Sequence, residues 1–421
     1  ERPRAGARLL VAKDENMRNV VASAVVPTGP GVNWTLKARI GGLEPHSQYF
    51  YQWESTSGHS EVGRTRTRPP NNSATNLRLG FSSCQHYCFG YFSAHQNAAD
   101  EDLDAYVFLG DYVYEHGRAL SGFVRLDNVD AVDLPSYRKK YQAYRRDEGL
   151  RELHRLHPSL HVWDDHEIAN NYSQNLPYAT PSQRVDGWRA AFEWLPHVVF
   201  PTDRFRIWKR MKFGSLAEIF MIDTRAYRTG DNDGQPRHIM QEAQMAWLID
   251  GLSKSKATWK IVANQVVISR DPFGTGGVAD QWDGYPDDRL RLTQAIEAAG
   301  VRNVAFMTGD AHVFLCSLFG SDFGAIVADP NRTPAGVEYV AGSITSPGLE
   351  RSEAEARTDA PWIQQYNGRD HGYAVVALDK DNYVTEYRRS DASRPDGGTQ
   401  AFERFTQPGG LNRVTRETLA V

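Results

Sequence analysis

The chain is poor in the features that mark specialised environments. It has three cysteines in 421 residues, Cys84, Cys88 and Cys316. An odd, small count excludes a disulfide scaffold while allowing one bridge, so at least one thiol is free or holds something. Cys84 and Cys88 flank Gln85, His86 and Tyr87, a spacing that matches no common zinc knuckle. Cys88 is either a bystander or a partner for Cys316, and the sequence gives it no other role. No apolar run approaches the roughly 18–20 residues that span a bilayer. A formal net charge of -4 gives no electrostatic case for nucleic acid or an anionic membrane. No repeat or low-complexity stretch stands out. Residues Glu1 to Gly6 lack an apolar signal core, so any export signal is expected to have been removed or never to have existed.

What remains is 40% hydrophobic and 24% charged, the composition of a soluble globular protein. The length suits a large core and two domains. Strand-like runs at Asn19 to Val26, Trp34 to Ile40, Tyr49 to Glu54 and Val62 to Thr67 predict a small β-sandwich over residues 1–70. Gly42 to Tyr51 resembles the tyrosine-bearing corner of fibronectin III-like domains. Arg68 to Ser73, with two prolines among polar residues, reads as a linker.

From residue 77 to 421 the pattern predicts an α/β layered domain with a C-terminal extension. Strands are expected at Leu77 to Ser83, Ala105 to Leu109, Ser159 to Trp163, Leu216 to Ile222, Trp259 to Val267 and Val301 to Met307. Further strands follow at Gly336 to Ala341, Tyr373 to Leu378 and Tyr383 to Arg388. Helices are expected within Ser93 to Ala105 and over Glu148 to Leu156, Gln241 to Leu252 and Pro286 to Ala299.

Four of these strands run out into metal-ligand chemistry. They end in Cys84; in Gly110-Asp111 with Tyr114; in Asp164-Asp165-His166-Glu167 with Asn170 and Asn171; and in Gly309-Asp310-Ala311-His312. Open α/β sheets bind ligands at such ends. Singly, each residue has a plainer reading. Gly-Asp is an ordinary turn, the acids favour a helix N-terminus, Cys84 is a small buried residue and His312 a satisfied core histidine. Jointly they would bury several carboxylates that repel unless cations intervene. Two metals about 3.5–4 Å apart and bridged by one carboxylate are an arrangement that hydrolyses phosphate esters. Asp111 is the natural bridge, following a glycine that lets the backbone turn closely.

Phe81-Ser82-Ser83-Cys84-Gln85, Gly110 to Glu115, Val162 to Glu167, Asn170-Asn171, Ile222 to Arg228, Asn264-Gln265, Trp282 to Tyr285, Thr308 to His312 and Ser343 to Gly348 together resemble the alkaline phosphatase D family, the PhoD-like metallophosphatases. The resemblance runs from about residue 77 to 379, and the N-terminal module matches the family's usual leading domain. It implies an αββα metallophosphatase sandwich preceded by a fibronectin III-like domain. It also implies ferric iron (Fe3+) with one or two calcium ions (Ca2+). Cys84, Asp111, Tyr114 and His312 would hold the iron. Asp111 would bridge to calcium completed by Asp165, Asn170 and Asp310, with the register among Asp164, Asp165, Asn170 and Asn171 open. Thiolate, phenolate and carboxylate suit a trivalent ion; an all-oxygen set suits calcium.

The activity so implied is hydrolysis of a phosphate mono- or diester by a metal-activated hydroxide, with Asp111 and His166 as catalytic residues. His166 would protonate the leaving alkoxide or merely orient Asp165. Arg225 and Arg228 would contact phosphate oxygens, unless one is a structural ion pair, for instance with Asp223. The rival functions are a phospholipase D-like phosphodiesterase acting on lipid or wall polymer, a metal-stabilised binding protein and a cysteine hydrolase using Cys84. Family habit suggests an extracytoplasmic location, while nothing bears on oligomeric state. Thr229 to Gly234 lacks the distal glutamate of an EF-hand and reads as a surface turn. Four glycosylation patterns, such as Asn33-Trp34-Thr35, carry no meaning in a bacterial source. Trp163 and Trp282 lie near site motifs and are candidates to line a pocket.

Overall fold

The computed structural model describes residues 5–117, 124–173, 178–230 and 236–420. In the N-terminal module, β1 (Ala5–Ala12) pairs antiparallel with β2 (Val20–Thr28) and β3 (Gln48–Ser55). Strands β4 (Gly58–His59) and β5 (Gly63–Arg66) both pair with β3. These described ladders form one five-stranded sheet, where the sequence predicts a two-sheet sandwich. Leu9, Val11 and Tyr49 form its small core. The Tyr49 hydroxyl accepts from Glu44 N at 2.9 Å, the expected corner contact.

Residues 34–40 alternate like a strand but join no ladder among the described residues. Asn33 and Trp34, both left-handed (φ 51° and 61°), turn the chain toward the larger domain. There Lys37 Nζ donates to Leu195 O at 2.6 Å and to Phe192 O. Docking on the neighbouring domain overrides the local pattern.

The larger domain opens with β6 (Leu77–Ser82), α1 (Ser93–Ala99), β7 (Ala105–Leu109), α2 (Leu134–Tyr144), α3 (Glu148–Leu156), β8 (Ser159–Val162) and α4 (Pro181–Trp194). It continues with β9 (Lys209–Phe213), β10 (Ala217–Met221), α5 (Glu242–Lys254), β11 (Trp259–Asn264), α6 (Pro286–Ala298), β12 (Val304–Thr308) and β13 (Phe314–Phe319). It closes with α7 (Phe323–Ala328), β14 (Gly336–Ala341), α8 (Glu353–Asp359), β15 (Ile363–Asn367), β16 (His371–Leu378), β17 (Asn382–Ser390), β18 (Thr399–Pro408) and β19 (Thr415–Thr418).

Two seven-stranded sheets result, ordered β19-β18-β17-β16-β6-β7-β8 and β15-β13-β14-β12-β11-β10-β9. A period of two sorts their side chains. Ile219 and Met221 of β10, Ile261 and Ala263 of β11, and Ala305 and Met307 of β12 face the first sheet, sharing a core with Leu79, Phe81, Val107 and Leu109. The intervening Phe220, Val262, Val304 and Phe306 pack against Met245 and Leu248 of α5 and Leu292 and Ile296 of α6. On the far side of the first sheet, Tyr106 and Phe108 meet His95 of α1, and Phe108 also meets His154 of α3. Helices therefore cover both outer faces.

Within the sheets, β6, β7 and β8 run parallel, as do β10, β11, β12 and β14. Their carboxyl ends gather at one rim. Trp163 and Trp282 are both wholly buried, Trp163 stacked on Trp188 at 6.1 Å and Trp282 donating to Asn264 Oδ1 at 3.3 Å, and neither borders the cavity beside His166. All three cysteines are buried and none is in a disulfide, so Cys88 does not bridge to Cys316. Of the segment Thr229 to Gly234, residues 231–234 lie outside the described residues.

Candidate metal centre

Four of the candidate ligands sit at strand ends whose backbone is turned sharply. Cys84 (φ 61°), Asp111 (φ 54°), Asp310 (φ 62°) and His312 (φ 55°) are all left-handed, as is Asn171 (φ 54°). Non-glycine residues resist that region by about 1–2 kcal/mol each. Such strain concentrated at one rim marks a site maintained for function. Gly110 has a separate reason to be glycine: a Cβ there would lie 2.5 Å from Asp164 Cβ and 2.6 Å from Asp164 N. The mouths of β7 and β8 touch at that point.

Buried polar groups lace the mouths together. Cys84 N and Gln85 N donate to Gly110 O and Asp111 O, each at 3.2 Å. The Glu167 carboxylate accepts from Asp111 N (3.2 Å), Tyr112 N (2.7 Å) and Asp164 N (2.9 Å). Burial lifts that carboxyl to about 7. Tyr144 of α2 offers its hydroxyl oxygen to Tyr87 N and Tyr114 N. Gln265 ties the mouths of β10 and β11, accepting from Thr224 N at 3.1 Å and donating to Ile222 O at 2.7 Å.

Three clusters of donor atoms occur at this rim, each with its atoms within 4.8 Å of one another: Cys84, Asp111 and His312; Asp111, Asp165 and His166; Asp164, Asp165 and Asp310. Asp111 belongs to the first two and Asp165 to the last two, so the clusters form a chain. Tyr114 joins the first, its hydroxyl donating to Asp111 Oδ2 at 2.9 Å and lying 3.4 Å from His312 Nε2. His312 Nδ1 donates to Pro347 O at 2.8 Å, which leaves Nε2 as the lone-pair nitrogen facing the cluster.

The electrostatics fit a cation site. Burial holds the Cys84 thiol and the Tyr114 phenol well above their usual ranges, with Asp111 adding to the effect in both. Burial likewise raises Asp111 and Asp164 well above the carboxylate range and Asp310 to about 6. Burial also opposes ionisation of Asp165, but the Arg225 guanidinium and His166 hold its carboxyl below the usual range. Its Oδ1 is buried without a hydrogen-bond partner. Acidic donors crowded in low dielectric, one with an oxygen that accepts no hydrogen bond, are what a bound metal satisfies.

The other predicted residues divide. His166 donates from Nδ1 to Glu115 Oε2 (2.7 Å), stacks on Tyr114 (4.1 Å) and lies in a cavity of about 300 Å3 with Tyr114, His312, Asn170 and Ser346. Burial alone would lower His166; Asp165, Asp111 and Glu115 carry it well above the histidine range instead. Asn170 is exposed, and its amide N–H is given to Glu115 Oε1. The side-chain amide of Asn171, turned so that its nitrogen donates, lies 3.1 Å from Asp165 Oδ2 and 3.3 Å from Asp280 Oδ2.

Arg225 is wholly buried. It donates to Asp164, to Asp280 at 2.8 Å and to Asp310 at 3.1 Å. Arg228 donates to Asp280 and to Thr224 O, both at 2.6 Å. Neither lines the cavity. Asp223, suggested as their partner, instead accepts from the backbone N–H of Arg225 and Ala226. A larger cavity of about 760 Å3 between residues 276–284 and α6 holds none of the ligand candidates, so size does not locate the site.

Sequence reasoning missed Asp280 and Gln281, which reach Arg225 and Asp310 from a loop with no local signature. It also assigned no role to Glu115, Glu167 or Ser346. Ser346 Oγ lies 2.6 Å from the Tyr114 hydroxyl and donates to Cys84 O at 3.0 Å. All three stand inside quoted motifs, where a buried polar residue at a strand mouth was the available signal.

The PhoD-like phosphatase family model matches residues 79–387, and the model for the PhoD-like phosphatase N-terminal domain matches residues 2–69. The chain is 31% identical to alkaline phosphatase D of Bacillus subtilis (strain 168), over 90% of this chain and 70% of that protein. Among solved structures, that of PhoD superposes with a TM-score of 0.91 at 27% identity, covering all of this chain and 87% of that one. A purple acid phosphatase from yellow lupin seeds shares the fold at a TM-score of 0.62 and 14% identity, over 96% of this chain and 69% of that one.

Proposed function

We propose that this chain, which belongs to the PhoD-like phosphatase family and is a phosphoric ester hydrolase, works with ferric iron and calcium at the rim described. Iron is assigned to Cys84, Asp111, Tyr114 and His312. Calcium is assigned to Asp111, Asp165, Asp310 and an asparagine amide, for which Asn171 competes with Asn170 because it lies against Asp165. The observation that carries this is the chaining of the three donor clusters through Asp111 and Asp165. One end offers a thiol, a phenol and an imidazole, the other only oxygens. When bound, such ions polarise phosphoryl oxygens and draw a nucleophile from water near neutral pH.

The chain's own residues do the rest. With Nδ1 held by Glu115, His166 has Nε2 left to hold and deliver a proton to the departing alkoxide oxygen. Tyr114 and His312 wall the cavity in which that oxygen leaves. Surrounded by carboxylates, Arg225 serves better to hold the acidic cluster together than to grip phosphate, and Arg228 follows it through Asp280.

The cavity lining favours a phosphodiester. Phe89, the Tyr114 ring and Pro347 give it an apolar wall for the second ester substituent, which a monoester lacks. A kcat/KM higher on bis(4-nitrophenyl) phosphate than on 4-nitrophenyl phosphate is expected; the reverse order would reject this preference. On its tyrosine contact the N-terminal module is read as a variant of the fibronectin III-like fold whose described ladders form a single sheet, and an experimental map in which Tyr49 does not reach Glu44 N would end that reading. An extracytoplasmic location is proposed from family habit; activity confined to the cytoplasmic fraction of source cells would refute it.

A further inference from the structure

We propose that Glu115 is the positioning residue for His166, fixing the imidazole so that Nε2 faces the leaving group; this rests on the reading of His166 as the proton donor. Glu115 directly follows the ligand candidate Tyr114, yet its carboxylate belongs to none of the donor clusters among the described residues. It is 5% exposed. Both of its oxygens are engaged within the β7 and β8 mouths. Oε2 accepts from His166 Nδ1 at 2.7 Å; Oε1 accepts from Asn170 N at 2.7 Å and lies 3.0 Å from His116 Nε2.

The imidazole is thereby held at Nδ1 by Glu115 and on one face by the Tyr114 ring, while the backbone N–H of His166 donates to Asp111 Oδ1 at 3.3 Å. A carboxylate on Nδ1 selects one tautomer and one ring orientation. A partner that only secured the loop would need no contact with the ring, because Asn170 N already ties the two mouths through Oε1.

The consequence falls on one bond. As a water-derived oxygen bonds to phosphorus and the P–O bond to the alcohol breaks, the electron pair of the broken bond stays on the alcohol oxygen, which takes the proton from His166 Nε2. The ring becomes neutral and keeps its Nδ1–H on Glu115. A 4-nitrophenolate leaves readily without that proton, whereas an alkoxide does not. Disturbing Glu115 should therefore hurt alkyl esters more than aryl esters.

The test compares methyl 4-nitrophenyl phosphate, releasing nitrophenolate, with dimethyl phosphate, releasing methoxide, for wild type, Glu115→Gln, Glu115→Ala and His166→Gln. Metal content and Tm are measured on each protein. Expected is a kcat loss at least about tenfold greater on the alkyl ester for both Glu115 variants, with Glu115→Gln the milder, and the same selectivity in His166→Gln. If His166→Gln is selective and Glu115→Gln loses both activities equally, the positioning role is overturned while the His166 reading stands. If His166→Gln is itself unselective, the underlying reading fails. Parallel loss of metal, Tm and both activities in Glu115→Gln assigns the residue to the scaffold and also overturns the proposal.

Discussion

The first sheet buries two ionisable clusters, and they treat burial in opposite ways. On its helix-covered face, Phe108 stacks on His154 at 5.1 Å and on His161 at 4.5 Å, with His95 and His197 alongside. Burial holds His154, His161 and His197 well below the histidine range and His95 at about 3. These rings act as neutral aromatic surface: His154 Nε2 meets the Tyr112 hydroxyl at 2.8 Å, while among the described residues His95 Nδ1, His161 Nδ1 and His197 Nε2 are buried without a hydrogen-bond partner. At the rim of the same sheet, burial also disfavours charge, yet anionic donors crowd together on left-handed backbone. The histidine layer stays uncharged without a bound ion, whereas the crowded acids of the rim call for cations.

Breaking either cluster should separate the two roles. Asp111→Ala is expected to lower kcat/KM at least about 10³-fold, about 4 kcal/mol of transition-state stabilisation. His161→Phe, which keeps the stack apolar, should leave kcat/KM within about twofold and stability within about 1.5 kcal/mol. Steady-state kinetics and urea denaturation on the two variants check this. Equal activity losses would erase the distinction.

The pH dependence should differ in sign. The buried histidines have folded pKa values below the unfolded value of about 6.5, so the unfolded chain binds more protons below that pH and stability falls as pH falls. Each unit below about 6.5 costs up to about 1.4 kcal/mol per neutral histidine. Asp310, raised to about 6 in the metal-free rim, behaves oppositely. Its stabilisation is present below about 3.9 and is lost as pH rises through 6, by about 3 kcal/mol. Chelation should therefore lower Tm more at pH 7.5 than at pH 5.0. A chelation effect independent of pH would contradict the account of the rim. The smallest effect is expected outside both clusters. Cys88→Ala should leave kcat/KM unchanged and cost no more than about 1–2 kcal/mol in denaturation, and a loss of metal from it would revise the ligand set.

Legibility in the sequence followed the same division. The rim was readable because apolar runs such as Ala105 to Leu109 stop abruptly at Gly110-Asp111, and chain-local chemistry announces each mouth. The partners across the fold were not. Nothing near Arg225 signals that the mouth of β10 lies against Asp164, so a buried guanidinium read as a phosphate contact. Asp280 arrives from a loop whose docking depends on tertiary closure. The segment Trp34 to Ile40 alternates as well as any real strand here, and only its contact with α4 and Leu195 explains its loss. The histidine layer passed unremarked, because single histidines scattered over α1, α3 and β8 have no local period.

The most direct test is elemental analysis of purified, active protein beside its Asp111→Ala variant. The account predicts iron near one equivalent with calcium in the wild type, and loss of both in the variant. Active wild-type protein containing neither these metals nor any substitute would contradict it.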